Sequence, residues 1–101
     1  MNSEEINKRE EELKELEQEM LLLEQDVDLL KQMHAKLKEI HERKQKLEHY
    51  YFQEGYRADR KIEHQFKDTY GLLSEDGLWN LFYEIDQEQL QLLKFLVNNL
   101  R

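Results

Sequence analysis

Four histidines and 23 carboxylates are the side chains of this 101-residue sequence with most capacity for chemistry. A metal site on helices needs two or more ligands on one face, as in the Glu-x-x-His pairs of carboxylate-bridged bundles. His34, His41, His49 and His64 each have a lysine three residues earlier instead: Lys31, Lys38, Lys46 and Lys61. On a helix those lysines share the histidine's face and repel a cation. His64 and Asp68, four apart, are the nearest approach to a ligand pair. Carboxylates on a solvated helix form a charged face, not an acid and base held in a cleft. No Gly-rich phosphate loop, nucleophile elbow or zinc helix motif occurs, and there is no cysteine. The expectation is no enzyme, no cofactor and no catalytic or metal-binding residue.

The elements that carry these side chains are helical. Charged residues make up 38% and apolar residues 39%, with no proline, and the first glycine is Gly55. Glu, Lys, Leu and Gln without a breaker for 54 residues indicate a long helix or coiled coil. The recurrence of leucine at a helical period excludes a disordered tract. The acidic N-terminus is unlike a signal peptide, and the longest apolar run, Met20 to Leu23, is far short of the ~20 residues that span a bilayer. A soluble cytoplasmic protein without membrane contact is expected.

Asn2 and Glu5 stand at capping-box spacing, so the first helix starts at Asn2 or Ser3 and runs to about Gln53, with Gly55 as its C′ stop. About 50 residues at 1.5 Å each make roughly 75 Å of helix. Residues 57–70 form a short helix presenting Ala58, Ile62, Phe66 and Tyr70, ended by Gly71. Ser74 reads as the N-cap of a last amphipathic helix over about 75–99. Residues 1–53 are thus a long coiled-coil helix, and 54–101 an aromatic-rich helical region packed on its C-terminal part. The whole is one all-α domain, folding back through a short helix.

The apolar seam of the first helix is Ile6, Leu13, Leu16, Met20, Leu23, Val27 and Leu30, spaced alternately by three and four after a gap at Arg9. It continues as Met33, Leu37, Ile40, Leu47 and Tyr51, with Lys44 as an interruption and a stammer between Val27 and Met33. A last helix of about 25 residues, roughly 37 Å, covers only half of the first. The N-terminal part of the seam then needs a second chain. Its flanking positions are Glu10, Glu12, Glu17, Glu19, Glu24 and Asp26, all acidic, which sets a parallel pair against itself. Residues 1–30 hold 11 acids and 3 bases, whereas 31–67 hold 10 bases and 6 acids. An antiparallel homodimer centred near Leu30 lays acid beside base. It matches Leu13 with Leu47, Met20 with Ile40, Leu23 with Leu37 and Val27 with Met33. The alternative is an intramolecular bundle with a frayed N-terminus.

The basic middle, with Tyr50, Tyr51 and Tyr56 nearby, invites a nucleic-acid reading. A net charge of −8 and the acidic arm as counter-charge weigh against it. All ten aromatics lie between Tyr50 and Phe95. Leu78, Trp79 and Phe82 fit best as the packed knot where segments meet. Tyr50, Tyr51 and Tyr56, with Trp79, make the candidate patch for a protein partner, because Trp and Tyr dominate interface hot spots.

Tyr50-Tyr51, then Gly55-Tyr56, Ala58-Asp59 and Leu72-Leu73-Ser74-Glu75-Asp76-Gly77-Leu78-Trp79-Asn80-Leu81, resemble the bacterial domain-of-unknown-function family 4298 over about residues 45–85. The resemblance implies a bacterial cytosolic helical protein with no established activity. The function expected is a coiled-coil adaptor, scaffold or chaperone-like accessory. The competing reading is an acidic inhibitor or nucleic-acid mimic that blocks a basic site on a partner.

Overall fold

The computed structural model describes residues 2–100. It is all-α, with no strand among the described residues: α1 (Ser3–Phe52), α2 (Glu54–Ile62), 3₁₀ turns at Glu63–Gln65 and Gly71–Leu73, and α3 (Gly77–Asn99). Contacts divide the chain into two compact units, Met1–Ile40 and His41–Arg101. The last twelve residues of α1, His41 to Phe52, therefore belong to the second unit.

α1 begins as its sequence indicates. The Asn2 side-chain carbonyl accepts the Glu5 N–H at 2.9 Å, and the Asn2 backbone carbonyl accepts the Ile6 N–H at 3.1 Å. One of the orphan donors of the first turn is thereby satisfied, and Glu4 and Glu5 complement the dipole. The helix runs 50 residues and buries none of them. The end of α1 differs from expectation. The chain breaks at Gln53, in an extended conformation (φ −103°, ψ −173°), and Gly55 is the second residue of α2 instead of a left-handed C′ stop. None of the described residues has positive φ. Gly55 answers a different need. A Cβ there would lie 3.1 Å from two carbons of the Tyr50 ring, so its missing side chain lets that ring pack against the backbone.

Two further expectations are corrected. The helix expected over 57–70 starts earlier, at Glu54, and stops at Ile62; a 3₁₀ turn and extended backbone at Phe66 and Tyr70 follow. Apolar spacing alone did not offset the absence of a continuous face to bury. Ser74 is no N-cap. Its hydroxyl donates to the Gly71 carbonyl at 2.8 Å, and Asp76 precedes α3 without a side-chain cap bond. A Cβ on Gly77 would collide with Ser74 Oγ and lie 3.1 Å from the Gly71 carbonyl oxygen.

The core of the second unit is small. Leu73, Leu78 and Phe82 are its buried residues, at 4%, 5% and 7% exposure. The start of α3 packs back on the end of α1. Phe82 lies 5.9 Å from the Tyr51 ring, edge-on, and 6.3 Å from the Phe52 ring, stacked. One turn further along, Asp86 accepts a 2.7 Å bond from Lys44 Nζ. The order Lys44–Asp86, then Tyr51–Phe82, makes the two helices antiparallel there.

Candidate functional site

In the first unit the seam residues sit on one bare helix. Leu13, Leu16, Met20, Leu23, Val27, Leu30, Met33 and Leu37 are all exposed, Leu23 by 65% and Leu30 by 59%. Ile40 is half-buried. Leu21, Leu22 and Leu29 are exposed too and widen the apolar stripe. These residues leave an extended apolar stripe in contact with water.

The seam's C-terminal end is occupied within the second unit. Lys44, which interrupts the apolar series, is only 16% exposed and reaches both Asp86 and Glu48 (3.6 Å). Its pKa is raised, first by the hydrogen bond to Asp86 and further by Glu48, against an opposing desolvation. The apparent flaw in the seam is thus a tether for α3. Leu47 and Tyr51 are half-buried, unlike Leu13 to Leu37.

The tyrosines of the candidate patch form the floor of the knot. Tyr50, Tyr51 and Tyr56 are half-buried. Tyr51 and Tyr56 have ring centroids 4.7 Å apart, and Tyr50 meets Tyr56 edge-on at 6.2 Å. Tyr50 donates a 2.6 Å hydrogen bond to Asp59 Oδ2. Burial, and then this bond to a carboxylate, push its hydroxyl up to about 12. Tyr56 donates to the Ser74 carbonyl at 3.1 Å and accepts a 3.4 Å bond from Arg60. Trp79 is placed differently from its neighbours. Leu78 and Phe82 are buried, whereas Trp79 is 57% exposed, because it stands one position off their i, i+4 face. It is the one member of the patch that lies open, and its packed reading is corrected.

Sequence reasoning did not find Asp59 as the partner of Tyr50, or Asp86 as the partner of Lys44. The second had a signal: a lysine in an apolar seam requires an anion. Among the described residues no group of three or more His, Asp or Glu side chains is arranged to hold a metal ion. No helix among them is long and apolar enough to cross a membrane.

The bare arm and the aromatic knot have one comparison in common. The model of the domain-of-unknown-function family DUF4298 matches residues 6–95. The chain belongs to this family. No curated protein and no solved structure matches it. The match extends well beyond residues 45–85, where the signature residues lie, and takes in the seam from Ile6 onward. In a DUF4298 protein the exposed arm is therefore part of the family's own domain.

Proposed function

We propose that this DUF4298 protein is a non-catalytic α-helical interaction module, an adaptor or scaffold that acts as an antiparallel homodimer. The observation that supports it is the apolar stripe of the first unit, exposed from Leu13 to Leu37 on a helix that buries no residue. Water against so many leucines is costly, and a second helix is the simplest cover.

Charge selects the second copy as occupant and sets its direction. With the two arms crossing at Leu30, Asp26 and Glu19 come beside Lys36 and Arg43 of the second copy on one edge of the seam. Glu24 and Glu17 come beside His34 and His41 of the second copy on the other. A parallel pair instead sets Glu12 against Glu17 and Glu19 against Glu24, each twice. Exchanging these repulsions for the acid–base contacts favours the antiparallel pair and outweighs the Asp26–Lys31 contact that a parallel pair keeps. Because α3 already occupies the end of α1, pairing centres on Met20 to Ile40.

Disulfide trapping tests the geometry. Leu30→Cys cross-links to its own copy under mild oxidation, and Leu13→Cys does not, because its symmetry mate lies at the far end of the other arm. Cross-linking of both variants with equal efficiency indicates a parallel pair; failure of both refutes self-pairing.

A further inference from the structure

The second unit carries a cleft that the seam does not use. Tyr50, Asp59, Phe66, Tyr70, Leu72 and Leu73 line a space of about 290 Å³. Three aromatic rings and one carboxylate form its chemically distinctive wall. Asp59 is half-buried and gives Oδ2 to the Tyr50 hydroxyl; Oδ1 receives no hydrogen bond from a described residue. Tyr50 stays protonated as donor, so the charge of the cleft is that of the carboxylate. Phe66 and Tyr70 meet edge-on at 6.2 Å, which turns the two ring planes across one another. The ring faces carry the negative part of the aromatic quadrupole, and a carboxylate beside them adds a full charge. Apolar walls with this polarity suit a cation that is weakly hydrated and partly carbon-bound.

A second cleft of about 300 Å³ adjoins the first, with Phe66, Tyr70 and Leu73 lining both. It adds Glu63 and Asp68, while Lys67 lines only this second part. Together they make an open groove along the non-helical segment from Phe66 to Tyr70. A small metabolite is ordinarily held in a cavity that encloses most of it. An open groove made of two adjoining clefts suits a stretch of polypeptide.

We propose that this groove is a docking site for a partner polypeptide that inserts a Lys or Arg side chain between Tyr50, Phe66 and Tyr70, against the Asp59 carboxylate. The guanidinium stacks on a ring face and takes Oδ1, and the flanking residues of the partner run past Glu63 and Asp68. The site is independent of self-pairing, because every residue in it belongs to the second unit of one chain.

The test is a titration of the full chain, followed by NMR of its aromatic side chains, with a capped pentapeptide carrying one central arginine between alanines. Its citrulline counterpart, equal in shape and uncharged, and tetramethylammonium chloride are run alongside. The arginine peptide is expected to shift the Phe66 and Tyr70 ring signals saturably, and the citrulline peptide to bind at least tenfold more weakly. Tyr70→Ala, which removes an exposed ring and no hydrogen bond, is expected to weaken the arginine peptide about three- to tenfold with unchanged helicity. Asp59→Asn is expected to weaken it more. Equal binding of the two peptides, or no saturable shift of the Phe66 and Tyr70 rings, each overturn the proposal. Tight binding of tetramethylammonium without the arginine peptide overturns the polypeptide and leaves a small organic ammonium as the ligand.

Discussion

Tyr50 and Asp59 make a 2.6 Å hydrogen bond that holds the end of α1 against α2. A neutral donor on a carboxylate in a half-buried place contributes about 1.5 kcal/mol, so Tyr50→Phe is expected to destabilise the second unit by that order in urea unfolding. The pH dependence has a definite sign. The folded Tyr50 hydroxyl, at about 12, lies above its ordinary value of 10.0, so the folded state favours the protonated form. That stabilisation is fully present below pH 10 and is lost as the pH rises from 10 to 12. Tyr50→Phe should remove this part of the alkaline loss, and the part due to Lys44, also raised, should stay. An unchanged alkaline profile in Tyr50→Phe would deny the bond its role. Gly77 and Ser74 form a second coupled pair. Gly77→Ala drives a methyl into Ser74 Oγ and is expected to cost about 2 kcal/mol. Ser74→Ala should relieve much of that cost in the double variant, and the non-additivity of the cycle measures the coupling.

At the scale of elements, α1 and α3 were legible in the sequence and the segment between them was not. Fifty residues without proline or glycine, opened by Asn2 and Glu5 at capping distance, can only be read as one helix, and the observed bounds are Ser3 and Phe52. The apolar spacing of Leu78 and Phe82 placed them in the core, where they are found. Residues 53–76 failed differently, because their structure depends on side-chain contacts that no helical period signals. Gly55 reads as a stop until the Tyr50 ring is seen against it, and Ser74 reads as a cap until its hydroxyl is found on the Gly71 carbonyl. Asp59 lies nine residues from Tyr50, a spacing no single-helix period singles out. A prediction belongs to α1 itself. Leu23→Lys places a charge in the middle of the proposed contact and touches nothing in the second unit. It should shift association at least tenfold toward single chains, measured by sedimentation velocity, while the near-ultraviolet signal of the aromatic knot stays unchanged. Loss of both would mean that the substitution disturbs the fold and not the pairing.

At the scale of the whole molecule, apolar surface is unevenly spent. Among its described residues the second unit buries three side chains well, while α1 leaves its seam bare from Leu13 to Leu37, and Leu93, Leu96, Val97 and Leu100 stay exposed. Two uncovered apolar faces in one 12.5 kDa chain support a protein completed by association. The family match from Ile6 to Phe95 places the bare arm inside the family's domain, together with the knot. Sedimentation equilibrium of the full chain at micromolar concentration and physiological salt tests this most directly. The account predicts a mass near 25 kDa, twice that of the chain, that persists when salt is raised, because the apolar seam is not screened. A mass of 12.5 kDa up to 100 μM at every salt concentration would contradict it.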